Sequence, residues 1–260
     1  MSDQIAVVFS AISQSLARSE FCDYSKGGSA ISVCGMPRPP RRTFAGECYH
    51  VLNRANRKAE VFHEAADYFA FLRLIEKVQE RTAIPLIAAC LMPNHVHLVV
   101  RPKGDGDLTR WMQWLFTTHA RHYHEKYGTT GHVWQGRYKH FPVQRDHHLL
   151  TLIRYVERNA LRARLVARAE DWPWGSLHWR VHGRSVLPLT ESPTPLPSAW
   201  TEFVNQPHTA VELESIRTSV NRQRPFGEES WVSKAAGSGE LQQSLINVGR
   251  PRRSRSGTDC

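Results

Sequence analysis

The segment that most narrows the folds open to this chain is Met92-Pro93-Asn94-His95-Val96-His97-Leu98-Val99-Val100. Pro93 has a restricted backbone and Asn94 tends to bond its own main chain, so the pair reads as a tight turn. The residues after it are apolar, β-branched or aromatic in character and lack Gly and Pro, as a buried strand requires. Leu86 to Leu91 is a second apolar run on the other side of the turn, so the two form a hairpin. Strand side chains alternate faces, which puts His95 and His97 on one side and Val96 and Leu98 on the other. Two imidazoles about 7 Å apart along one face can converge on a single divalent cation. Taken alone, the pair is more often two strand histidines with hydrogen-bond partners, because two ligands make only half a site.

The rest of the chain has room to supply the other half. Its 260 residues suffice for one large domain or two small ones with a substantial core. A formal net charge of +10, with Arg outnumbering Lys, suits a polyanionic partner and bidentate phosphate contacts. Cys22, Cys34, Cys48, Cys90 and Cys260 are scattered and form no CxxC, which fits reduced thiols better than a disulfide framework. The early apolar run Ile5 to Ile12 is short and has no basic leader, so neither a signal peptide nor a membrane span is expected. The expected location is the cytoplasm, in association with the nucleoid.

Residues 1–35 are Ser-, Ala- and Gly-rich and read as a loose N-terminal extension, a product of an upstream start codon ahead of Met36. A first strand is expected within residues 43–55, an amphipathic helix over Ala65 to Glu80, and a second over Leu108 to Tyr123. His132 to Tyr138 and His140 to Val143 read as a further hairpin, and Asp146 as the N-cap of a helix running through Arg164. Helices therefore alternate with strands that pair as chain neighbours, giving one α+β domain, a small antiparallel sheet flanked by helices, over residues 36–182. Leu187 to Ser198 is rich in Pro, Ser and Thr and reads as a linker within a C-terminal part, 183–233, whose short helices over Ala199 to Asn221 are assigned to DNA binding. Residues 234–260, with Arg250-Pro251-Arg252-Arg253-Ser254-Arg255, read as a disordered basic tail.

The helix after Asp146 carries the most telling pattern. Leu149, Leu152, Ile153, Val156 and Ala160 form its apolar stripe, while Tyr155, Asn159 and Arg162 follow one another along its edge. A rim tyrosine is ordinary. Mid-helix Asn has poor helix propensity and calls for a reason.

Met92-Pro93-Asn94-His95-Val96-His97 resembles the HUH motif (His, bulky apolar, His) of the single-tyrosine, IS200-like HUH transposases. Tyr49-His50-Val51-Leu52-Asn53-Arg54-Ala55-Asn56-Arg57 is similar to that family's first strand, and Val133-Trp134-Gln135-Gly136-Arg137-Tyr138 to the segment before its last helix. Asp171-Trp172-Pro173-Trp174-Gly175-Ser176 and Ile216-Arg217…Arg224-Pro225-Phe226-Gly227 resemble later segments of the REP-associated tyrosine transposases. The resemblance spans about residues 36–233. It implies a ferredoxin-like HUH endonuclease domain that cleaves and rejoins single-stranded, hairpin-forming DNA through a 5′-phosphotyrosine. Tyr155 is then the nucleophile, and His95, His97 and Asn159 the ligands of Mg²⁺ or Mn²⁺. Arg54, Arg57, Arg137, Arg158 and Arg162 are candidate phosphate contacts, with an ordinary solvated basic face as the alternative for the first three, and Trp134 is a candidate base-stacking platform with core packing as its alternative. A homodimer using Tyr155 in trans is compatible with one chain's sequence, and a domesticated, non-cleaving hairpin-binding protein is the alternative function.

Other histidines compete less well. His119 and His122 share a helix face and could mimic a metal pair, but with His124, Tyr123 and Tyr127 they read as groups facing solvent or DNA. His147 and His148 are adjacent at the start of a helix and diverge by about 100°, so they are not expected to serve one site.

Overall fold

Four strands, β1 (Cys48–Arg54), β2 (Leu86–Met92), β3 (His95–Val100) and β4 (Lys139–Val143), form one antiparallel sheet in the order β2-β3-β1-β4. The computed structural model describes residues 43–183 and 187–237, together with Leu245, all within one compact unit, 41–260. Pro93 and Asn94 turn β2 into β3, and every residue of β2 is buried, so helices must cover both faces of the sheet.

The faces sort by the parity of the strand residues. Val96, Leu98 and Val100 of β3 and Tyr49 and Val51 of β1 pack under α1 (Ala65–Arg81) and α2 (Asp107–Tyr127). The opposite face presents Cys48, Cys90, Met92, Val99 and Phe141 to α3 (His147–Glu157). His95 and His97 share the parity of Val99 and lie on this second face. The architecture is α+β, as expected.

Several expectations are corrected. Residues 132–138 form no strand: Trp134 makes one isolated bridge to Ala55, and β4 pairs with β1. The helix expected to run from Asp146 through Arg164 is broken. Asp146 does cap α3, its carboxylate accepting from the backbone N–H of His148, but Arg158 (φ −81°, ψ −2°) interrupts it before the short α4 (Asn159–Arg162). The Arg158 guanidinium donates to the Val204 and Asn205 carbonyls, so the break coincides with a tertiary anchor.

Beyond α5 (Ser176–His182), the expected linker is tied down: Leu187 is buried and the Thr190 N–H donates to the Leu86 carbonyl at 2.7 Å. Where one or two short helices were expected, there are α6 (Trp200–Asn205) and α7 (Ala210–Arg222). A third, α8 (Glu229–Ala236), extends into residues assigned to the tail, with Val232 and Ala236 buried one turn apart. Trp200, Val204, Ile216 and Phe226 enter the same core as α3, so no boundary between cores falls at residue 183. The expectations for residues 1–35 and, apart from Leu245, for 238–260 lie outside the described residues. Among the described residues no helix is long and apolar enough to cross a membrane.

Candidate metal and tyrosine site

The site starts from the two strand histidines. The rings of His95 and His97 lie edge to face with centroids 4.9 Å apart. His95 Nδ1 meets Asn94 Oδ1 at 2.6 Å, while Asn94 Nδ2 donates to the Lys58 carbonyl at 3.0 Å. An amide oxygen only accepts, so Nδ1 of His95 carries the proton and its Nε2 keeps a lone pair. His97 Nδ1 lies 2.9 Å from Nε2 of His50, one pleat along β1 on the same face. Burial pulls His95 down to about 4, with Arg54 and Arg162 adding to it. It pulls His97 well below the ordinary imidazole range, aided by His95 and His50, and His50 down to about 3. All three are therefore neutral at physiological pH, the form in which an imidazole ligates a metal.

Helix α3 brings the tyrosine. Leu149, Leu152, Ile153 and Val156 are fully buried against the sheet, which fixes the rotation of the helix about its axis. Tyr155 is thereby held with its ring 5.9 Å from that of His97 and 6.4 Å from that of His50. The Arg162 guanidinium sits over the Tyr155 ring at 4.1 Å, and His208 meets another side of that ring at 6.1 Å. Arg162 also donates from Nη2 to Asn159 Oδ1 at 2.9 Å. Asn159 is buried, and its Nδ2 has no partner among the described residues. Arg162 thus touches Tyr155 and Asn159 and acts electrostatically on both strand histidines.

The donor set fits a divalent ion. Nδ1 of each histidine is engaged by a neighbour, the arrangement that usually orients a ligating imidazole. The Arg162 bond occupies one of the two lone pairs on Asn159 Oδ1 and leaves the other. Two neutral imidazoles and an amide oxygen suit Mg²⁺ or Mn²⁺ and also admit softer divalent ions.

The expected DNA-contact residues separate. Arg54 ends β1 opposite His95, exposed beside the site, and Arg57 and Arg137 are exposed on flanking loops. Trp134 is corrected from a stacking platform to core: it is 6% exposed and packed among Phe62, Phe71, Phe116 and His119. Arg158 is likewise spent on the α6 carbonyls. His119 does not face solvent or DNA but is buried in the same aromatic cluster. His147 and His148 do approach each other, contrary to expectation, with ring centroids 4.0 Å apart. With Asp146 they bring three ligand-type atoms within 4.8 Å of one another. They can do so because they open the helix, where side chains are not held by a preceding turn.

Two residues at the site were not singled out from the sequence. For His50 the sequence showed only the alternation that puts it with Leu52 opposite Tyr49 and Val51; the register pairing Leu52 with His97 came from the fold. His208, from the loop between α6 and α7, had no signal.

Residues 45–159, the part of the chain that holds β1 to β4, the two strand histidines and the tyrosine helix, match the family described as “Transposase IS200 like”. The chain is also similar to REP-associated tyrosine transposases. A Haemophilus influenzae protein so named is 26% identical over 103 residues, a match covering 35% of this chain and 58% of that protein. Among solved structures, a REP-associated tyrosine transposase bound to a REP hairpin superposes with a TM-score of 0.48 at 18% identity, over 67% of this chain and 93% of the other. A transposase chain from Deinococcus radiodurans gives a TM-score of 0.34 at 16% identity, over 46% and 96%.

Proposed function

We propose that the protein is a metal-dependent endonuclease and strand transferase for single-stranded, hairpin-forming DNA, with Tyr155 as the nucleophile. The observation that carries this reading is the packing of Tyr155 under Arg162 and 5.9 Å from His97, on one buried face of one chain. The Tyr155 oxygen attacks the scissile phosphorus and the bond from phosphorus to the 3′-oxygen breaks. The products are a 5′-phosphotyrosine and a 3′-OH, the phenolic proton ending on solvent or on the departing oxygen. Because one phosphoester replaces another, the adduct retains the bond energy needed for rejoining.

When bound by His95, His97 and Asn159, Mg²⁺ or Mn²⁺ polarises the scissile phosphate and offsets its charge. Arg162 holds the tyrosine ring and contributes a second positive charge beside it. Arg54, Arg57 and Arg137 supply phosphate contacts along the exposed rim. Assembly of the site within one chain supports catalysis in cis, whether or not the protein dimerises. Residues 36–182 carry the chemistry in this reading, the helices after residue 183 add DNA contacts, and the protein acts on nucleoid DNA in the cytoplasm.

The test is an incubation with labelled hairpin oligonucleotides and Mn²⁺, followed by a search for an SDS-stable adduct. Wild type forms the adduct; Tyr155→Phe forms none yet binds the hairpin within about twofold. An adduct surviving in Tyr155→Phe would move the nucleophile elsewhere. Binding without any adduct in wild type would favour the non-cleaving hairpin binder.

A further inference from the structure

The two strand histidines are oriented by different partners, and only one partner has a settled polarity. Asn94 can only accept from His95, so that ring has a fixed tautomer. His97 instead faces another imidazole, which can either give or take the shared proton. Nδ1 of His97 and Nε2 of His50 are 2.9 Å apart, while the ring centroids are 5.1 Å apart with planes only 12° from parallel. Rings that meet nitrogen to nitrogen at that centroid separation lie end to end, not face over face, so the contact is a hydrogen bond along the ring plane. Both rings are almost completely buried, His50 at 0% and His97 at 3% exposed, so bulk water cannot readily substitute for either partner.

His50 is also held by its surroundings. Phe141 of β4 packs edge-on to it at 5.0 Å, and Tyr155 stands at 90° to it at 6.4 Å. Its other nitrogen, Nδ1, is buried without a partner among the described residues. A buried polar atom with no partner destabilises the fold, which makes an unused histidine a poor choice for this core position. Phenylalanine or leucine would fill the space without that penalty.

We propose that His50 is a positioning residue for the metal centre: Nε2 of His50 accepts the Nδ1 proton of His97 and so turns Nε2 of His97, as a lone pair, toward the ion. The opposite polarity would place a proton on Nε2 of His97 and abolish it as a ligand. The His50 Nδ1 proton is left buried and unpartnered, a local cost offset by metal binding. This inference rests on the metal reading of His95 and His97 given above, and goes beyond it by adding the residue that selects the tautomer.

Mn²⁺ affinity of the full chain, measured from the free-ion EPR signal without DNA, tests the inference. His50→Phe weakens Mn²⁺ binding about 10- to 100-fold, the usual effect of losing such a partner. His50→Gln, whose amide oxygen can accept the same hydrogen bond, recovers much of it. His50→Phe binding Mn²⁺ as wild type does would overturn the proposal. Loss of metal reading and loss of this inference are separable: if His97→Ala also binds like wild type, or wild type binds no Mn²⁺, the metal site itself is wrong and the proposal falls with it. Nitrogen-15 NMR of the Mg²⁺-loaded wild type needs no variant to fold. It should show His50 protonated at Nδ1 only and His97 protonated at Nδ1; a proton on Nε2 of His50 would refute the assignment.

Discussion

Arg162 shows how much one side chain can do at this site. Its planar guanidinium covers the Tyr155 ring at 4.1 Å and also reaches Asn159, which a point charge on a flexible stem cannot reproduce. Arg162→Lys is expected to lower the rate of adduct formation about 10- to 100-fold through misplacement of the tyrosine. Hairpin affinity, measured by gel shift, should fall far less, since the charge is kept. Its role was half legible: sequence spacing put it in line with Tyr155 and Asn159, but the guanidinium's place over the ring came only from the structure.

His119 makes the contrasting case at the same scale. The sequence pointed it at solvent or DNA; the structure buries it between Phe62, Phe71 and Trp134. Burial pulls it down to about 3, with His122 contributing. The unfolded chain takes up this proton at pH values where the folded chain does not, so the group destabilises the fold as pH falls below about 6.5 and is silent above it. Between pH 7 and pH 5 the loss from this one group is roughly 2 kcal/mol. Denaturant titrations at the two pH values should show His119→Leu losing correspondingly less stability than wild type. Equal losses would mean that His119 is protonated in the folded state.

Among the elements, α3 is the one on which the site depends, and it is fastened at both ends. Asp146 caps its start. At its end Glu157 is buried, accepting from Ser176 Oγ at 2.6 Å, Arg180 Nε at 3.1 Å and Trp200 Nε1 at 2.7 Å. Glu157→Ala leaves all three donors without their acceptor and should cost about 3–5 kcal/mol, read as a large drop in thermal midpoint. The existence and apolar face of α3 were legible because both are properties of the local pattern. Its termination was not: nothing in Tyr155-Val156-Glu157-Arg158-Asn159 stops a helix, and the break at Arg158 coincides with carbonyls presented by α6. Trp134 was undecided for a related reason: the Phe62, Phe71, Phe116 and His119 rings that enclose it come together only in the fold.

At the scale of the whole molecule, α6, α7 and the segment after it are part of the core that holds α3. Val204 and Ile216 are fully buried, and Trp200 and Phe226 nearly so, with burial of each worth about 1.5–3 kcal/mol. Arg154, on α3 beside Tyr155, is paired at 2.7 Å with Glu212 of α7. A chain ending at residue 182 should therefore fail to unfold cooperatively and should expose apolar surface to a dye such as ANS, although it retains the whole IS200-like segment. Cooperative unfolding of that truncation would show the C-terminal helices to be dispensable to the fold.

By itself the sequence determined the Pro93-Asn94 hairpin, the shared face of His95 and His97, the amphipathic helices and the Tyr155, Asn159, Arg162 line. Each follows from turn chemistry or from a period of two or 3.6 residues, which operate over a few neighbours. Only the tertiary structure decided that His50 meets His97, that Arg162 covers Tyr155, that Trp134 and Arg158 turn inward, and that the C-terminal helices complete the core. Those contacts join residues far apart in the chain or on either side of a helix break. They arise when apolar faces are buried together and most of the polar groups carried inside find partners there.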